Sequence, residues 1–194
     1  GQALTGLAAG AARPVQPRPL VHFSDGTQTF LQSWRGYATE RAIAAQLLRR
    51  LAAAPGQTAA TGIDSALAQL FPGAAPDDRQ VLAARTALSQ RVVLVTGGPG
   101  TGKTYTLARI LALLLSLAES RPPRIGLAAP TGKAADRMRE AIRDSIEKLP
   151  DTFRPHAETI RRAAQGSTTL HSLLGYNPST GNCARNAASP LPCD

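Results

Sequence analysis

A chain of 194 residues has room for one α/β domain and a smaller piece, and its 43% hydrophobic content is enough for a core. With only 4% aromatics that core is mainly Leu, Ala, Val and Ile, while a net charge of +9 favours nucleic acid or another polyanion as partner. Two cysteines in a polar stretch, Cys183 and Cys193, exclude a zinc site and read as free thiols. The basic residues form no dense tail, so a polyanion footprint has to be assembled in three dimensions. No secretory signal is present, and Leu107 to Leu117 is apolar but too short to span a bilayer and is interrupted by Arg109. No membrane partner and a cytoplasmic protein are expected. A first residue of Gly rather than Met reads as a piece of something longer.

Residues 1–17 are Ala-, Gly- and Pro-rich and read as a linker. Leu20-Val-His-Phe23 and Thr27-Gln-Thr-Phe-Leu31 flank Ser24-Asp-Gly26, a hairpin signal. Thr39 to Ala54 follows as an amphipathic helix with Ile43, Leu47, Leu48 and Leu51 on one face, stopped by Pro55-Gly56. A shorter helix, Ile63 to Phe71, ends at Pro72-Gly73. Residues 18–75 thus read as a small N-terminal α+β module.

Pro76-Asp77-Asp78 places acids at the positive end of a helix over Arg79 to Ser89. The next run, Val92 to Val95, predicts a buried strand, and Tyr105 to Ala118 predicts a helix. Between them Gly97-Gly98-Pro99-Gly100-Thr101-Gly102-Lys103-Thr104 fits G-x-x-x-x-G-K-[ST]. Glycines let the backbone curl until successive N–H groups converge on phosphate oxygens, where side chains would obstruct the approach. The helix that follows adds its positive end. Lys103 supplies an ammonium for the β- and γ-phosphates, and the Thr104 hydroxyl is placed to ligate Mg²⁺. The pattern therefore predicts ATP or another nucleoside triphosphate bound with Mg²⁺ across Gly97 to Tyr105, with Lys103 and Thr104 as the catalytic pair.

Arg121-Pro-Pro123 forces a break, Arg124-Ile-Gly-Leu-Ala-Ala129 predicts a second strand, and Pro130-Thr-Gly132 turns into a helix over Lys133 to Leu149. Strand, helix and strand at this spacing predict a right-handed βαβ unit with parallel strands. Both following loops, 96–103 and 130–133, then lie at one carboxyl edge, where open α/β sheets bind ligands. Pro150 to Gln165 is polar and charged and reads as a mobile insertion with a weak helix over His156 to Ala164. Ser167 to Gly175 reads as a short helical turn capped by Ser/Thr and Gly, and Asn177 to Asp194 reads as loop.

Three motifs stand in order: Gly97–Thr104, Ala129-Pro-Thr-Gly-Lys-Ala-Ala135 and Thr169-Leu-His171. Together they resemble motifs I, Ia and the TLH motif of superfamily 1 helicases. The wording GGPGTGKT, LAAPTGKAA and TLHSLLG is most similar to the RecD family, the alpha subunits of bacterial exonuclease V (RecBCD). The resemblance covers roughly residues 18 to 194. It implies a P-loop NTPase (RecA-like) fold over 76–194, a parallel sheet with helices on both faces. It further implies ATP with Mg²⁺ as cofactor, single-stranded DNA as substrate, and the beta and gamma subunits as partners. Residue by residue, Gln80 sits where that family reads the adenine edge. Pro130, Thr131 and Lys133 resemble residues that hold a single DNA strand, and Thr169 and His171 resemble a second DNA-contacting element. Such phosphate contacts position a strand without reading its sequence. Plainer roles stay open: Gln80 and Lys133 as solvent-facing side chains, His171 as a structural histidine.

The chain departs from that pattern after residue 129. No apolar run there ends in the acidic pair that P-loop NTPases use to hold Mg²⁺ and orient water. Asp136, Glu140, Asp144, Glu147, Asp151 and Glu158 lie on polar faces or in the insertion. The expectation is a motor domain cut off before its Walker B strand, inactive by itself. The resemblance implies a 5′-to-3′ helicase subunit in double-strand break repair and recombination. A partner-docking module with a regulatory nucleotide site is an alternative, and a free-standing RecD-like helicase is another.

Overall fold

The computed structural model describes residues 19–24, 26–52, 62–118, 121–186 and 188–193. The expected linker over 1–17 and the helix stop at Pro55-Gly56 lie outside them. The described residues form two units, one of 19–52 with 90–92 and one of 62–89 with 93–193.

In the first unit, β1 (Leu20–Ser24) and β2 (Thr29–Ser33) pair antiparallel with Phe23 opposite Phe30. The hairpin is as expected, and its cross-strand rings explain the register. Phe23 stacks on Phe30 at 5.2 Å and leans on Tyr37 at 5.4 Å, and Tyr37 is buried. The helix α1 (Trp34–Ala52) begins directly after β2, five residues before the predicted start. Its entry is tied by the Trp34 amide, which donates to the Pro19 carbonyl at 3.1 Å. Ile43 and Leu51 on its apolar face remain exposed.

The second unit is built around one helix. α4 (Lys103–Ser116) buries Ala108, Ile110, Leu111, Ala112, Leu113 and Leu115, which occupy nearly every face of it. A helix apolar all round has to be enclosed. The enclosing elements are α2 (Ile63–Leu70), α3 (Arg79–Ser89), α5 (Gly132–Ile146) and α6 (Arg154–Gln165). They contribute Leu67, Leu70, Val81, Ala84, Ile142, Ile146, Ile160 and Ala164 to a common core. α2 therefore packs with the second unit.

Several expectations fail here. Val92 to Val95 is not a strand: it pairs with no described strand, and Leu94 is 80% exposed. An apolar run signals burial, but a parallel strand exists only where neighbours complete its ladder. Of the second predicted strand only β3 (Ala128–Ala129) forms. Its parallel partner is β4 (Thr168–Thr169), not the run before the glycine loop. The weak helix predicted over His156 to Ala164 forms as α6, after a 3₁₀ turn (Asp151–Phe153), but the segment is no loose insertion: Phe153, Ile160 and Ala164 are buried. Its polar composition hid a narrow apolar stripe. The stretch read as loop from Asn177 contains a small hairpin, β5 (Tyr176–Asn177) against β6 (Asn182–Cys183). The capped turn before it is as predicted: α7 (Leu170–Leu174) has Thr169 at its start and Gly175 at its end with φ of 61°. Both thiols are free.

Candidate functional site

The glycine loop precedes α4, and its shape follows from three positions. Gly100 and Gly102 have φ of 76° and 77°, a left-handed backbone that side chains rarely adopt. A Cβ on Gly97 would stand 2.7 Å from the Thr101 hydroxyl, so the loop closes this tightly only with hydrogen there. Thr101 Oγ1 in turn donates to the Gly98 carbonyl at 2.9 Å. The result is a ring of backbone around the start of α4, whose first turn carries no acid. Main-chain N–H groups and the positive helix end would both favour an anion here.

Lys103 is exposed and folds back over this ring. Its Nζ donates to the Gly97 carbonyl at 2.8 Å and the Gly98 carbonyl at 2.5 Å, with Thr101 Oγ1 at 3.4 Å. The ammonium thus sits inside the curl, held by acceptors that a phosphate oxygen would replace. Thr104 is half-buried in the first helical turn, and Thr106 donates to the Gly102 carbonyl at 3.0 Å.

Gln80 is brought to the same place from α3. Its amide nitrogen donates to the Thr101 carbonyl at 3.4 Å and would lie 2.8 Å from a Cβ on Gly102. α3 is started by Asp78, whose carboxylate accepts from the Gln80 amide at 2.7 Å. Gln80, Gly97 to Thr104 and Tyr105 therefore converge. Pro99 forms the loop's exposed corner.

The second group of predicted residues gathers on the β3–β4 pair. Because Ala129 is in parallel register with Thr169, the turns after the two strands leave by the same edge. Pro130, Thr131 and Lys133 stand on one turn and are exposed. Thr169 and His171 stand on the other. Both threonine hydroxyls are used as helix caps: Thr131 accepts from the Ala134 amide at 3.2 Å, and Thr169 accepts from the Ser172 amide at 3.1 Å. His171 is exposed and meets Tyr176 edge-on at 4.9 Å. The predicted juxtaposition of loops 96–103 and 130–133 by one βαβ ladder does not occur, since residues 92–95 take no part in it.

One residue escaped sequence reasoning. Arg109, read only as an interruption of an apolar helix, is 3% exposed. Its Nε donates to the Leu70 carbonyl at 2.6 Å and its Nη2 to the Lys148 carbonyl at 3.1 Å. Burial lowers its pKa from the ordinary arginine value. Its only signal in the sequence was a lone guanidinium inside a Leu/Ala run.

The residues fit a triphosphate: the ring closes only where side chains are absent, the backbone is left-handed at two of its glycines, and the helix behind it starts without an acid. For a divalent cation the loop offers the Thr104 hydroxyl, and the described residues contain no cluster of three His, Cys, Asp or Glu. Among them no helix is long and apolar enough to cross a membrane.

A family model described as an AAA domain matches residues 80–194. The chain is 41% identical over 192 residues to the "RecBCD enzyme subunit RecD" of Mycolicibacterium smegmatis, covering 97% of this chain and 32% of that protein. It is 42% identical over 181 residues to the "RecBCD enzyme subunit RecD" of Mycobacterium tuberculosis, covering 89% of this chain and 28% of that protein. An "ATP-dependent RecD2 DNA helicase" of Deinococcus radiodurans is 31% identical over 150 residues, which is 77% of this chain and 17% of that protein. The chain spans about a third or less of the length of these relatives.

Proposed function

Since the chain belongs to the AAA domain family and matches RecD subunits along nearly its whole length, we propose that it is the nucleotide-binding part of an ATP-dependent DNA helicase. The observation that carries the reading is the Gly97–Thr104 ring with Lys103 folded into it and Gln80 beside it. In this reading the fold is completed as a RecA-like parallel sheet. Main-chain amides of the ring hold the β-phosphate, Lys103 moves from its carbonyl partners to the β- and γ-phosphates, and Thr104 ligates Mg²⁺. Gln80 selects adenine. Bound Mg²⁺·ATP supplies the phosphoanhydride whose cleavage drives movement along DNA. Cleavage needs an acidic residue beyond those gathered here, so the 194-residue chain alone binds nucleotide weakly and does not turn it over.

Pro130, Thr131, Lys133, Thr169 and His171 supply the single-strand contact. Their support is the parallel register of β3 and β4, by which the turns after both strands leave at one edge. The complete protein acts, in this reading, as a 5′-to-3′ motor within an exonuclease V complex, in break repair and recombination in the cytoplasm. The test is nucleotide-responsive, salt-sensitive binding of single-stranded DNA by the full-length protein. A protein that binds single strands with one affinity, with or without ATP, would remove the motor.

One observation favours a second role for the first unit, the part of the predicted 18–75 module that holds the hairpin and α1. On α1, Ile43 and Leu47 with Thr39 and Arg50 line an open, mostly apolar groove of about 560 Å³ that also reaches Val92. This face suits a partner subunit, beta or gamma. Ile43→Asp should abolish co-purification of those subunits while leaving ATP binding intact. Copies that never co-purify with them would point to a free-standing helicase.

A further inference from the structure

The buried guanidinium of Arg109 is not used by the chemistry above. Enclosing an arginine in an aliphatic core is expensive, and a leucine or methionine would pack the same space without that cost. Its partners explain why it is there. Leu70 is the last residue of α2, so its carbonyl is among those that a helix end leaves without an intrahelical donor, and Lys148 lies in the turn just past the end of α5. One side chain thus caps two helix ends that are far apart in sequence. Carbonyls there carry partial negative charge, which suits a cation. Nη1 has no acceptor within hydrogen-bond reach among the described residues.

The third contact points toward the glycine loop. The guanidinium carbon sits 3.3 Å from the centre of the Tyr105 ring, one helical turn nearer the start of α4. Tyr105 rests edge-on against buried Phe71 at 6.4 Å. Tyr105 follows Gly102 by three residues, and a side chain at Gly102 would meet the Gln80 amide nitrogen at 2.8 Å. A stack therefore runs from two helix ends through Arg109 to Tyr105 in the first turn of α4, the turn that Gly102 opens.

We propose that Arg109 is a positioning residue for the glycine loop: it locks the first turns of α4 against the ends of α2 and α5 so that the ring stays shaped for a triphosphate. The ligand named here rests on the ATP-binding reading, whereas the ordering of the loop does not. Holding a site in its bound shape raises affinity by removing the ordering cost at binding.

The test compares Arg109→Met and Arg109→Lys in the full-length protein, well below the melting midpoint of each. Two quantities are read: amide hydrogen exchange over residues 98–106, and the Kd of a fluorescent ATP analogue. For Arg109→Met, loop exchange should quicken about tenfold with α7 unchanged, and the analogue should bind about tenfold more weakly, the effect of losing one ordering contact. Arg109→Lys keeps a cation over the ring and should recover most of both. Tyr105→Leu combined with Arg109→Met should cost no more than either alone. A lower melting midpoint with loop exchange and Kd at wild-type values in Arg109→Met would overturn the proposal. Should Arg109→Met fail to fold, Arg109→Gln, which keeps a polar contact to one carbonyl but loses the cation over the Tyr105 ring, decides by the same two readings: wild-type loop exchange and Kd in it would overturn the proposal. If the wild type bound no nucleotide while Arg109→Met still loosened residues 98–106, the ATP reading would fall and the positioning role would stand.

Discussion

Replacing Lys103 by alanine separates a phosphate-binding ring from a tight turn of similar outline. In the loop the ammonium has two carbonyl partners, those of Gly97 and Gly98 at 2.8 and 2.5 Å. Binding a triphosphate exchanges these for charged oxygens. A hydrogen bond to a charged group contributes about 1.5–3 kcal/mol, and surrendering the carbonyl contacts offsets part of it, so about 1.5 kcal/mol is expected. That corresponds to roughly tenfold weaker binding. The side chain is exposed, so stability should change by less than about 1 kcal/mol. The assay is a titration of the full-length variant with a fluorescent ATP analogue, with a urea melt as the control on folding. In turnover the loss should be larger, because charge on the transferring group grows in the transition state. Binding within about twofold of wild type, by a protein of unchanged stability, would refute the role given to Lys103.

Gly102→Ala forces a side chain into a left-handed backbone at φ 77° and pushes on the Gln80 amide. A loss of about 1–2 kcal/mol in stability is expected, with impaired nucleotide binding, and chemical denaturation with the same titration checks both. Thr131→Ala removes the cap on the Ala134 amide and should cost about 1 kcal/mol, while Thr131→Ser should restore it; equal melts for all three would contradict the capping geometry. Glu158 accepts from Arg161 at 2.7 Å and Arg162 at 3.0 Å, and these bonds hold its carboxyl below the usual carboxylate range. A carboxylate depressed in the folded state stabilises above its unfolded pKa, and the contribution fades as pH falls through the folded one. The stability gap between wild type and Glu158→Gln should therefore be open near neutrality and close in acid, as urea melts across pH would show.

What was legible in the sequence was local. The glycine loop and the caps at Asp78 and Thr169 depend on neighbours within a few residues, and each stands where it was expected, while the helix after the loop starts at Lys103, two residues before the predicted Tyr105. The strand at 92–95 depended on partners elsewhere, and its hydrophobicity carried no information about whether a ladder would form. The helix at 154–165 was legible, but its burial was not. Phe153, Ala157, Ile160 and Ala164 keep a helical spacing, but two of the four are alanines set among charges. The β5–β6 hairpin turns through Ser179-Thr-Gly181, where φ of 69° at Gly181 is the one cue that was overlooked. Arg109 could not be read at all, since its partners are backbone carbonyls 39 residues away on either side.

The account rests on a backbone ring that recognises the tail of a nucleotide. The most direct measurement is a nitrogen-15 NMR titration following the amides of Gly100, Gly102, Lys103 and Thr104 as Mg²⁺·ATP is added, with AMP as the comparison. The account predicts that ATP shifts these four amides together and that AMP, lacking the tail, leaves them where they were. Saturating ATP that moves none of them, or AMP that moves them equally, would contradict it.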